Sequence, residues 1–157
     1  MSDDAGPLRR YATLPVRLIV GYGFVAHGIA KWNKGPDAFA AILLSAHVPA
    51  PHLMARLTIV TEIFGGLAIL CGALVAWVSV PMIVLLVVAI VTVHLPYGFS
   101  SIKLLRIVGG RAQFGPPGYE CDLLYICGIL TLAMSRPSPW SVDAYRIRGR
   151  VGEKSGA

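Results

Sequence analysis

Residues 63–102 read IFGGLAILCGALVAWVSVPMIVLLVVAIVTVHLPYGFSSI, a run of 40 residues without an Asp, Glu, Lys or Arg. One crossing of a bilayer takes roughly 20 apolar residues. The run therefore holds two membrane helices joined by a tight turn. Trp77 and Pro81 mark the expected join, because Trp favours the membrane interface and Pro is tolerated in the first turn of a helix. Met82–Val93 is apolar on every face, as a lipid-exposed span must be.

The rest of the chain agrees. Of 157 residues, 55% are hydrophobic and 14% charged. Soluble domains run near 25% charged, and a small one needs that charge to cover its surface. A soluble domain, a disordered chain and a disulfide-stapled module are all disfavoured.

Two less pure spans complete an all-α, up-down, integral membrane four-helix bundle. The first contains Arg17 and His27, and the last opens with Glu120 and Asp122. The spans are expected at about 12–31, 54–76, 79–97 and 119–135. Asp3, Asp4 and Arg17 favour an uncleaved first span over a signal peptide. The expected organisation is a cytoplasmic segment at 1–11, a membrane domain at 12–136, and a basic, mobile tail at 137–157. Two long connections flank the bundle. Trp32–Leu53 contains a short helix over Ala38–Ala46, and Gly98–Gly118 is read as a basic loop ending in Gly115-Pro116-Pro117-Gly118.

Lys and Arg place eight cations on the side of the termini and six on the side of the long loops. Positive-inside reasoning puts both termini in the cytoplasm. The net charge of +6 is explained by basic flanks beside anionic headgroups, so no nucleic-acid partner is read from it. Cys71, expected deep in the second span, and Cys121 and Cys127 form no CxxC, which argues against a dithiol centre or a metal site.

In an up-down bundle, His27 and Lys31, Glu62, His94, and Glu120 with Asp122 all approach one membrane face. Ionisable groups in a bilayer are costly and turn to a bundle interior or a watery cavity. A cavity roofed by the long loops is expected there. Arg17, Gly21, Phe24, Gly28 and Lys31 share one helix face, and the two glycines admit a close neighbour. Glu62 is expected to pair with Lys31 or His27. Arg17, ten residues before His27, is about 15 Å away along the helix, where it can snorkel. Plainer readings stand beside these. Lys31 is also an interface anchor, His94 a helix-end residue bonded to a carbonyl, and Glu120 and Asp122 complements of a helix dipole.

His27-Gly28-x-x-Lys31, preceded by Arg17 and glycines, is similar to the first-helix signature of the DoxX family. Pro49-x-Pro51, Glu62-x-x-Gly65-Gly66, Pro117-Gly-x-Glu120 and Ser141-x-Asp143 follow in matching order, so the resemblance covers about residues 14–143. It implies a four-helix bundle in the bacterial cytoplasmic membrane, associated with redox systems such as a terminal quinol oxidase or a thiosulfate:quinone oxidoreductase. It also suggests kinship with the vitamin K epoxide reductase type of fold, but this chain lacks the CxxC on which that chemistry depends. Arg17, His27, Lys31, Glu62 and Glu120 match recurrent polar positions of the family.

The leading expectation is a quinone-linked accessory subunit working with a partner oxidoreductase or as a homo-oligomer in the lipid bilayer. His27, Glu62 and Glu120 are the catalytic candidates. Lys31, Arg17 and His94 are the substrate-binding candidates. Quinone is the expected cofactor, with none bound covalently. The alternative is a non-enzymatic scaffold or small-solute binding protein whose polar cluster only orders the bundle.

Overall fold

A computed structural model describes residues 11–154 of the chain. Residues 1–10, with Arg9 and Arg10 of the expected cytoplasmic segment, and 155–157 lie outside the described residues. Six α-helices and one hairpin make up the fold: α1 (Leu14–Lys34), α2 (Pro36–Ser45), α3 (Pro51–Cys71), α4 (Val75–Ala89), β1 (Leu104–Val108), β2 (Arg111–Phe114), α5 (Glu120–Met134) and α6 (Val142–Lys154). The path of α4 continues through a π-helical turn at Ile90–His94 and a 3-10 turn at Leu95–Tyr97.

Local sequence explains most boundaries. Pro stands in the first turn of α1, α2 and α3, where a missing N–H costs nothing. Lys31 and Lys34 in the last turn of α1 complement its negative end. Gly72, at φ 63°, ends α3 in the left-handed conformation that a residue without a Cβ adopts cheaply.

Two helices are long and apolar enough to cross a membrane, Pro51–Cys71 and Val75–Tyr97. In the second, only 17% of the most apolar window is buried against the rest of the protein, so most of its side chains need an apolar surrounding. Ile19, Tyr22, Phe64, Val84 and Val91 likewise face outward. The main core is a cluster of Val20 and Phe24 from α1, Ile69 from α3, Met82 and Leu86 from α4, and Ile129 and Leu132 from α5. A smaller cluster of Ala40, Leu43 and Ala55 fixes α2 against the start of α3.

Close backbone approach aligns these helices. A Cβ on Gly66 would stand 2.8 Å from the Gly21 carbonyl oxygen, and one on Gly28 would stand 3.1 Å from Glu62 Cβ. Both are tighter than ordinary contact, so α1 and α3 meet through their small residues. Gly65 receives Met82 of α4, and Gly128 of α5 receives Val20.

Three expectations are corrected. The fold is not purely helical, because the presumed basic loop forms an antiparallel hairpin in which Val108 pairs with Arg111. Gly109 and Gly110, at φ 57° and 74°, supply the two-residue turn that right-twisted strands favour. The join between the two apolar helices is Gly72-Ala73-Leu74, not the region of Trp77 and Pro81, which both lie within α4. Cys71 is the exposed last residue of α3 instead of lying deep in a span. In addition, the segment expected as a tail carries α6, and it docks on the bundle through the preceding strap, Ser135–Ser141.

Candidate functional site

The α1–α3 contact sets the centre of the site. Because Gly28 backs directly onto Glu62 and Ile63, the next turn of α1 brings Lys31 over the Glu62 carboxylate. Lys31 Nζ donates to Glu62 Oε1 and lies 5.2 Å from the centre of the Phe39 ring of α2. The helix α2 therefore screens one side of the pair. Glu62 is 4% exposed, and its second oxygen, Oε2, is buried without a hydrogen-bond partner. A buried acceptor left unmatched is costly, so this oxygen is a position that a donor from a ligand would stabilise.

His27, one residue before Gly28, is exposed and turned toward α5. Its ring centre is 6.3 Å from that of Tyr125, edge to face. Tyr125 also packs edge-on against Phe24, at 5.4 Å. Its hydroxyl occupies the space above Gly23, where a Cβ would come within 1.9 Å. Glycine at 23 is thus what admits the tyrosine.

A second pair stands at the same end of the bundle. His94 Nδ1 is 2.5 Å from Asp122 Oδ2. The π-helical turn that ends at His94 inserts an extra residue into the path of α4 and re-aims the imidazole at the start of α5. An ionised carboxylate can only accept, so His94 donates through Nδ1. Asp122 is buried and His94 half-buried.

Glu120 is engaged differently. Its Oε2 accepts the Ser101 N–H at 3.0 Å, and Ser101 Oγ donates to the Gly118 carbonyl. Glu120 therefore ties the hairpin connection to the start of α5. Gly118 is squeezed between the carbonyls of Gly98 and Phe99, at 2.1 and 2.6 Å from its would-be Cβ. Only glycine fits there.

Arg17 belongs to the other end. Its guanidinium donates to Ser138 Oγ at 2.6 Å and to the Trp140 carbonyl at 3.2 Å. It is 5% exposed and holds the strap instead of snorkelling. Asp143 beyond the strap accepts the Leu74 and Val75 N–H groups at 3.0 and 3.1 Å, and so caps α4 from a position far along the chain. A recess of about 210 Å3 lies at this end.

The structure thus brings Lys31 to Glu62 and His94 to Asp122, places His27 against Tyr125, gives Glu120 to a loop, and separates Arg17 from all of them. Sequence reasoning did not single out Asp122 as the partner of His94, nor Tyr125. The first was signalled by its position at the opening of α5, and the second by nothing local. Among the described residues, no three His, Cys, Asp or Glu side chains gather to hold a metal ion.

These features define a helical membrane protein with two carboxylate pairs, Lys31–Glu62 and His94–Asp122, at one end and a buried arginine at the other. The chain belongs to the DoxX family, whose profile matches residues 12–95. It is similar to the protein named Uncharacterized membrane protein Rv3486 of Mycobacterium tuberculosis (strain ATCC 25618 / H37Rv), with 32% identity over 136 residues, 82% of this chain and 77% of that one. No solved structure matches.

Proposed function

We propose that the chain is a four-span bundle of the bacterial cytoplasmic membrane with both termini inside, and that it serves as a quinone-linked accessory subunit of a partner oxidoreductase. In this reading α1 and α5 cross the membrane beside the two long apolar helices, with which they share one core. The carrying observation is Glu62, a buried carboxylate with one oxygen held by Lys31 and the other unmatched.

The residues fit a quinone headgroup. A quinone presents two carbonyl acceptors, and a quinol presents two hydroxyl donors. Glu62 Oε2 is an acceptor without a partner and Lys31 a donor on the same carboxylate, while His27 and Tyr125, packed on each other, add polar groups on the neighbouring helices α1 and α5. When bound, the quinone would carry the electrons, and the protein would orient it and move protons. Glu62 is the group placed to take a proton, and His27, exposed beside Tyr125, is placed to exchange one with the outside.

Purification followed by lipid extraction and measurement of membrane quinone reduction tests this. The expectation is co-purifying quinone in the unaltered protein and slowed reduction in a Glu62→Gln strain of equal protein level. A quinone-free protein with reduction unchanged in that strain would refute the reading.

One observation favours the second reading, an ordering role only. Glu62 stands at a close α1–α3 contact, where a Cβ on Gly28 would meet its own Cβ at 3.1 Å. That reading predicts that Glu62→Gln and His27→Ala lose activity only in proportion to lost thermal stability.

A further inference from the structure

We propose that the recess at the Arg17 end binds a phosphate group. The site is separate from the Lys31–Glu62 end and does not rest on the quinone reading.

The argument begins with charge. Arg17 is 5% exposed and forms no ion pair with a carboxylate among the described residues. Its two hydrogen bonds go to neutral oxygens, of Ser138 and Trp140, and Nε has no partner. A buried cation is normally paired, because burial without a counter-charge is expensive. Here no counter-charge is present among the described residues, and beside the guanidinium there is space. The recess of about 210 Å3 is bordered by Arg17, Arg136, Thr13, Ser135, Ser138 and Ser141. The partnerless Arg17 Nε and the Thr13 and Ser138 hydroxyls are donors for a tetrahedral oxyanion, which accepts many hydrogen bonds at once, while the Ser135 and Ser141 hydroxyls already donate to the Thr131 and Ser138 carbonyls.

Asp143 also borders the recess and opposes an anion. Both of its oxygens, however, are engaged by the Leu74 and Val75 N–H groups at the positive end of α4, which offsets its charge. The site lies where α1 and α4 begin and α5 ends, beside apolar walls from Leu132 and Ala133. In a membrane-spanning orientation that level is the headgroup region. The ligand is therefore the phosphate of an anionic lipid or a free phosphate.

The test uses the full chain in a non-ionic detergent, titrated with short-chain phosphatidic acid, with inorganic phosphate, and with a diacylglycerol of the same chains as the phosphate-free control. The expected result is a rise in melting temperature of about 5–10 °C when the phosphate-bearing probe is at one hundred times its dissociation constant. Arg17→Gln should lose the effect, but it also frees the strap and can unfold the protein. Ala133→Phe fills the recess while leaving both arginines and the strap bonds in place, and should weaken binding about tenfold or more, a loss of at least one 1.4 kcal/mol step. Phosphatidic acid binding with no phosphate effect identifies a lipid headgroup, whereas equal responses identify a free anion. Equal binding by Ala133→Phe and the unaltered protein, an equal effect of diacylglycerol, or no response to either phosphate probe overturns the proposal.

Discussion

Lys31 donates to Glu62 across the α1–α3 contact, one helix turn from the point where Gly28 backs onto the Glu62 stem. The ion pair and the tight glycine contact therefore support one another. Removing the carboxylate alone, in Glu62→Leu, strands the Lys31 ammonium in a half-buried position and should cost about 3–5 kcal/mol. Replacing both, in the Lys31→Met and Glu62→Leu double variant, should recover most of that loss, because an apolar pair needs no desolvation. Chemical unfolding of the four proteins in detergent gives the coupling energy. A double variant no more stable than Glu62→Leu alone would show that the pair does not act as a unit.

The backbone contact predicts an independent loss. Gly66→Val places methyl groups where a Cβ already stands 2.8 Å from the Gly21 carbonyl oxygen and 2.9 Å from the Val25 amide nitrogen. Backbone atoms cannot swing aside as a flexible side chain does. The substitution should cost about 1–3 kcal/mol or more by forcing α1 and α3 apart. Gly149→Ala in α6, where a Cβ meets nothing within 4 Å, is the control and should not destabilise but raise stability by about 0.5–1 kcal/mol. Melting temperatures measured side by side decide it.

Much of this was legible because it is local. Arg17, Gly21, Phe24 and Gly28 recur at helical spacing, and all four are buried on one face of α1. That Glu62 pairs with Lys31 or His27 follows from depth and charge, and the Gly28 contact, one turn before Lys31, settles it on Lys31. The boundary between α3 and α4 was not legible, because Trp77 and Pro81 are strong local signals that tertiary structure overrides. The true N-terminus of α4 is capped by Asp143, 69 residues from Leu74, and no window of sequence contains both. The hairpin did have a signal in Gly109-Gly110 between Leu104–Val108 and Arg111–Phe114. The cations in both strands and the following Gly-Pro-Pro-Gly instead read as a loop. The His94–Asp122 pair depends on a π-helical turn, whose extra residue changes the aim of the side chain without marking the composition.

The capping role of Asp143 has a measurable signature. Asp143→Ala removes the acceptor from the Leu74 and Val75 N–H groups and should destabilise the protein by about 1 kcal/mol. Amide exchange should quicken at the first turn of α4 while α3 and α5 stay protected. Asp143→Asn, which keeps one acceptor oxygen, should fall between. Uniform acceleration over all helices would instead mean that the strap governs the whole bundle.

The His94–Asp122 pair makes a prediction about tautomer. Nδ1 faces the carboxylate at 2.5 Å, so the neutral ring carries its proton on Nδ1 and leaves Nε2 as a lone pair. Nitrogen-15 spectra of labelled protein should show Nδ1 protonated in the unaltered chain. In Asp122→Ala the acceptor is gone, and the ring should move toward the Nε2-protonated form that free imidazole side chains prefer. The lost bond, to a charged group, should cost about 1.5–3 kcal/mol. The two readouts separate orientation from packing. A stability loss with an unchanged His94 tautomer would mean that Asp122 only fills space at the start of α5. A tautomer change with little stability loss would mean that the pair holds the imidazole in one orientation, as a proton-exchanging group at this end of the bundle requires.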